Sequence, residues 1–269
     1  MGLLYAIPAP ILLLMALAAS IPGALVAQRF VHRHFNGSAF VSHNEVGGII
    51  VVVVASLYAV LLGFMTVVAW EHFQESRAIV VTEADACIDA WHTAVGLPEP
   101  VRQTVRKDMI RYAETMVSRE WTAMKAGKSD PDAAMISMDA MNAVGGFVPA
   151  DWREANAQNA TMQQLDVMHD ARQRRVASNE AGLSGFEWLV LASGAGTIIA
   201  FCWLFGGSKP TVQMIMTATV VLMLVSMLVL LFELQFPFRS GIGIDAATWV
   251  GALRHIQEMM HGPMQGMRM

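Results

Sequence analysis

Imidazole and thioether side chains near the C-terminus are this chain's nearest approach to a set of metal ligands. His255, Met259, Met260, His261, Met264, Met267 and Met269 crowd the last 15 residues, and such soft donors suit copper(I). His261, Met264 and Met267 are the candidate ligands. The competing reading is adaptable packing, because methionine occurs 20 times along the chain. A second group, His32, His34 and His43 with Glu45, could bind a metal or titrate near neutrality; polar residues of a surface loop are the simpler account. Gly194-Ala195-Gly196 has the start of a dinucleotide fingerprint, but it lies in an apolar run, follows no strand and lacks the third glycine. No phosphate-binding loop, zinc-protease motif, nucleophile elbow or paired-cysteine zinc site occurs. No catalytic residue and no cofactor is implied, so an enzyme is not expected.

The elements that must hold any site are set out by hydropathy. Hydrophobic residues make up 55% of the 269 and charged residues only 15%, which points to a membrane protein. Four apolar stretches, each long enough to cross a hydrocarbon core, run from Leu3 to Val26, Gly47 to Trp70, Trp188 to Phe205 and Val212 to Leu234. The first lacks a preceding Lys or Arg and exceeds a secretory h-region, so it reads as a retained helix. Trp70 and Trp188 stand where interfacial anchors belong. The small residues Ser193 to Thr197 allow close helix approach. The layout predicts transmembrane helices 1 and 2 in 1–70, a cytoplasmic helical domain in 71–187, helices 3 and 4 in 188–234 and a cytoplasmic tail in 235–269.

The insert reads as helical throughout. Apolar spacing through Ala78, Val81, Ala84, Ile88, Trp91 and Val95 extends the second span as one helix until Leu97-Pro98-Glu99-Pro100. A second helix puts Val101, Val105, Met109, Tyr112, Met116 and Trp121 on one face. A short helix spans Ala133 to Val144, and a longer one Asp151 to Ala177. These faces look too long for one insert to bury, so neighbouring subunits are expected to cover them. The insert carries 12 Lys/Arg against 18 Asp/Glu, which argues against a nucleic-acid partner. Two cysteines, Cys87 and Cys202, give no disulfide framework and suit a reducing compartment. Arg77, Arg172, Arg174, Arg175, Arg239 and Arg254 outnumber Arg29, Arg33 and Lys209 across the spans, which places the insert and both termini in the cytoplasm.

An ordered set of segments carries a family resemblance. Leu57-Tyr58-Ala59-Val60-Leu61-Leu62-Gly63-Phe64, Trp70, Glu83-Ala84, Glu120-Trp121 with Met124, and Arg172 with Arg174-Arg175 form its first part. Gly182-Leu183 to Trp188-Leu189 and Phe236-Pro237-Phe238-Arg239-Ser240-Gly241 complete it. Together they resemble a bacterial bestrophin-like membrane family, related to bestrophin channels, over about Asn44 to Leu253. The resemblance implies an all-α protomer of four transmembrane helices in two hairpins with a helical insert. It also implies a multi-pass protein of the cell inner membrane, assembled as a homo-pentamer around an axial pore for inorganic ions.

By that resemblance the second membrane helix lines the pore. Val60, Phe64 and Val67, four and three residues apart, would form an apolar neck that gates by dewetting. Glu71, followed by Glu75, would stand at the inner mouth and bias it toward cations. Ordinary packing or lipid-facing roles are the alternative for the first three, and solvation past the interface for the carboxylates. Bestrophins follow the Pro-Phe segment with a dense acidic run that helps hold calcium. Here Arg239-Ser240-Gly241-Ile242-Gly243-Ile244-Asp245 supplies one carboxylate, far from calcium's oxygen shell. Secondary carriers place ionisable groups near the midplane, whereas the span interiors hold only hydroxyls and Gln213. The second functional reading is a non-conducting scaffold or sensor that binds partner proteins through its helical insert.

Overall fold

The computed structural model describes residues 5, 7–34, 44–205 and 209–261. Its helices in chain order are α1 (Ala9–His34), α2 (Asn44–Thr93), α3 (Val101–Thr115), α4 (Trp121–Lys125), α5 (Pro131–Gly145), α6 (Trp152–Glu180), α7 (Gly185–Leu204), α8 (Pro210–Leu234) and α9 (Ala247–His261). No strand occurs among the described residues. The fold is all-α, with four helices long and apolar enough to cross a membrane: α1, α2, α7 and α8.

Two compact units share the chain. The first comprises Met1–Phe73, Gly182–Phe236 and Ser240–Ile242; the second comprises Gln74–Ala181, Pro237–Arg239 and Gly243–Met269. In the first unit α1 packs along α8, and α7 touches both. Tyr58 of α2 lies in a notch on α7 made by Gly194, where a Cβ would overlap the phenol ring. The Tyr58 hydroxyl donates to the Leu191 carbonyl at 2.9 Å, so a polar tip inside an apolar contact keeps a partner. Leu62, Ala69, Ala195, Ile198, Leu231 and Leu234 complete this core. Elsewhere these helices present apolar side chains outward, the pattern of helices solvated by hydrocarbon.

Local chemistry explains the helix starts. Ser184 Oγ accepts from the Glu187 amide at 3.3 Å while Glu187 returns the bond to the Ser184 amide at 2.6 Å, a capping box that opens α7. Pro210 occupies the first turn of α8, where a missing amide hydrogen costs nothing. At the far end of α8, Gln235 is buried and bonded on both sides, accepting from Trp188 Nε1 at 3.1 Å and donating to the Tyr5 hydroxyl at 2.8 Å. Tyr5 in turn stacks on Phe232.

The second unit corrects one expectation. Val105, Met109, Tyr112, Met116 and Trp121 are buried within a single chain, in a core shared with α2, α5 and α6. The missing cover comes from the C-terminal segment: Phe238 and the Trp249 and Ile256 face of α9 pack into the same core. The bounds of one helix also differ from expectation. Helix α1 begins at Ala9, after Pro8, and runs on to His34, so His32 and His34 belong to its last turn. Between α3 and α4 the chain stays helical through a π-turn at Met116–Glu120. The extension of α2 holds to Thr93, with a further turn at Ala94–Gly96 before Leu97-Pro98.

Candidate functional site

Helix α2 is 50 residues long, about 75 Å at its axial rise, against a hydrocarbon core of about 30 Å. Its packed side in the first unit is narrow: Tyr58, Leu62 and Ala69 are 6%, 5% and 6% exposed. Val60, Phe64 and Val67 are 59%, 67% and 53% exposed. Counted at about 100° per residue, these three and Glu71 lie within about 60° of one another and nearly opposite Tyr58. They form the centre of the arc that α2 leaves uncovered. Glu71 and Glu75 are both exposed. Farther along the helix Asp85 and Asp89 are exposed as well.

Four hydroxyls inside the spans are spent locally. Ser56, Thr66, Thr197 and Thr219 each donate to the carbonyl four residues earlier on their own helix, at 2.7 to 3.0 Å. This pattern satisfies a polar group in an apolar setting.

The second unit encloses a charge cluster. Arg175, fully buried, donates to both Glu83 oxygens at 2.5 and 3.0 Å and to Glu120 Oε1 at 3.2 Å. Arg172 donates to the same Glu120 oxygen at 3.3 Å, and the Tyr112 hydroxyl donates to Glu83 at 2.6 Å. Two carboxylates thus meet two guanidiniums, and the indole of Trp121 lies 5.4 Å from Arg175 Cζ. Burial works against the Arg175 charge, but Glu83, then Tyr112 and Glu120, outweigh it and hold its pKa above the ordinary value. Burial and the Glu83 charge push the Tyr112 phenol up, so it stays a donor. The π-turn lies where the chain presents Glu120 to this cluster.

Of the metal candidates His261, Met264 and Met267, His261 alone lies among the described residues. His261 ends α9, its Nδ1 2.7 Å from the Gln257 carbonyl; Met264 and Met267 lie outside the described residues, as does His43. His32 Nε2 is 2.9 Å from the Trp203 carbonyl and 3.1 Å from Gln213. No group of three or more His, Cys, Asp or Glu side chains suited to a metal occurs among the described residues. The Gly194-Ala195-Gly196 run is helix packing, as the Tyr58 notch shows.

A family model for the bestrophin-like domain matches residues 14–248. The chain belongs to the bestrophin-like family. Its fold matches crystal structures of a bacterial bestrophin homolog from Klebsiella pneumoniae. One, a point-mutant structure, shares 14% identity at a TM-score of 0.65, covering 91% of this chain and 99% of that one. Another shares 15% identity at 0.64, covering 90% and 97%. At such identity the likeness speaks for the fold. Comparison with curated proteins gives no match.

In this bestrophin-like protein, several segments that carry the resemblance in sequence meet in space. Glu83, Glu120, Trp121, Arg172 and Arg175 form the charge cluster, and Met124 Sδ touches Arg175. Arg174 is exposed. Arg239 donates to the Asn179 side chain at 3.1 Å and covers Gly127, which has φ +75°. Since Arg172 and Arg175 are committed to buried pairs, they do not act as free membrane-surface charges. Sequence reasoning missed the role of Tyr112, whose only signal was a helical apolar spacing, and the grouping of Arg102, Arg106, Lys107 and Arg111.

Proposed function

We propose that the protein is an oligomeric ion channel whose axial pore is lined by α2 of each subunit. Val60, Phe64 and Val67 form its neck, and Glu71 stands at its inner mouth. The observation that carries this reading is the uncovered apolar stripe directly opposite the packed face of α2. Around an axis, rings of such side chains leave a narrow passage that water deserts, which resists ions until the neck widens. Carboxylate rings at Glu71 and Glu75 raise the local concentration of cations. A ring of five follows from the bestrophin resemblance. In the same reading residues 71–187 and both termini face the cytoplasm.

Purified full-length protein in planar bilayers tests this. Unitary currents are expected from wild type, larger ones from Phe64→Ala, and a lower cation preference from Glu71→Gln. Absence of currents from both wild type and Phe64→Ala, or a monomer by light scattering in detergent, refutes it. A sealed oligomer would leave the scaffold reading.

A further inference from the structure

Along one side of α3, Arg102, Arg106, Lys107 and Arg111 line an open cleft of about 570 Å³ with Trp91 and Glu99. They are four of the 12 Lys and Arg side chains in residues 71–187, a segment with 18 acidic residues. A positive cleft on an acidic segment is a local concentration that overall composition does not predict. Two of the four have carboxylate partners. Arg102 Nε is 2.9 Å from Glu99 Oε1, and Arg111 Nη1 is 3.4 Å from Asp108 Oδ1. Arg106 and Lys107 form no ion pair among the described residues.

Arg106 is nonetheless held in place. Its Nε donates to the Trp91 carbonyl at 3.3 Å, and its Cζ lies 4.2 Å from the centroid of the buried Trp91 ring. The fork is therefore pre-oriented by the core, and no carboxylate among the described residues pairs with it directly: Glu99 is bonded to Arg102, and Glu258 lines the adjoining hollow. Partial burial, then the Arg102 charge, pulls its pKa below the ordinary value against the opposing pull of Glu99. An anion in the cleft relieves that cost. Phosphate matches a fixed guanidinium bidentately and delivers more negative charge in a small volume than a single carboxylate. We infer that this cleft binds a phosphate-bearing anion, gripped by Arg106 and Lys107 and flanked by Arg102 and Arg111. The phosphate belongs either to a small soluble molecule or to a lipid headgroup.

Calorimetric titration of inorganic pyrophosphate into full-length protein in detergent, at fixed ionic strength, tests the soluble source. Saturable binding is expected, weakened about tenfold or more in Arg106→Gln/Lys107→Gln. It is expected to be weakened severalfold in Lys107→Gln, an exposed position that leaves the core intact. Lys125→Gln/Arg153→Gln removes the same charge elsewhere and is expected to bind as wild type. The lipid arm compares melting in phosphatidylcholine nanodiscs with and without phosphatidylglycerol. Stabilisation by phosphatidylglycerol, lost in the cleft variants, without pyrophosphate binding, assigns the phosphate to a headgroup. Equal pyrophosphate binding by cleft and control variants, or no response to either probe, overturns the inference.

Discussion

Replacing Arg175 with methionine tests the account of the buried cluster most directly. The guanidinium is fully buried and makes three charge-assisted bonds, two to Glu83 and one to Glu120. Without it, Glu83 keeps the Tyr112 hydroxyl and Glu120 keeps Arg172 and the Asp130 amide. The four charges then no longer balance, and one carboxylate is stranded in an apolar interior. Removing one partner of such a pair costs about 3–5 kcal/mol, while removing both charges is close to neutral. Glu83→Gln/Arg175→Met is therefore expected to be at least about 2 kcal/mol more stable than Arg175→Met alone. Denaturant unfolding of the full-length protein in detergent, followed by tryptophan fluorescence, measures both. Because the folded-state pKa of Arg175 lies above its unfolded value, its contribution is complete below the unfolded pKa and is lost only as pH rises through the folded one. Titration of Arg175 itself should thus leave the deficit unchanged as pH rises from neutrality toward about 12. An Arg175→Met protein within about 1 kcal/mol of wild type, or a double variant no more stable than the single, refutes the reasoning.

Two further outcomes follow from packing. Gly194→Ala drives a methyl into the Tyr58 ring and is expected to cost about 1–3 kcal/mol, read as a lower melting temperature, with little added cost in a Tyr58→Ala background. Gly63→Ala meets open space within the chain, and should leave melting unchanged or slightly raised. Cys87 is fully buried, and burial first, then Glu83, pushes its thiol far above the usual range. In a Cys202→Ser background, iodoacetamide at about pH 8 should label it only after denaturation, since the thiolate is the reactive form; rapid labelling of native protein contradicts the enclosed core.

Membrane crossing, helical class and the long run of α2 past Trp70 are legible in sequence because they are local properties. An apolar run of sufficient length needs hydrocarbon wherever the rest of the chain goes. A three-to-four spacing marks one helix face, and Leu97-Pro98 stops a helix by removing a donor. The family resemblance is also a matter of residues in order, though it named Glu83, Glu120 and Arg175 without saying what they do. Their pairing joins positions 92 and 55 residues apart, and no local pattern selects those partners among so many charges. The apolar faces of the insert were just as visible, but not the element that buries them. Only folding brings Phe238 and α9 back from the other side of two membrane spans to cover that core. The stripe of Val60, Phe64 and Val67 divides the same way. Periodicity puts the three on one face, while the packing of Tyr58 against Gly194 decides that this face is the one left open. Sequence determines which surfaces are apolar or charged; tertiary contact decides which of them are spent inside the molecule, because burial depends on partners that are distant along the chain.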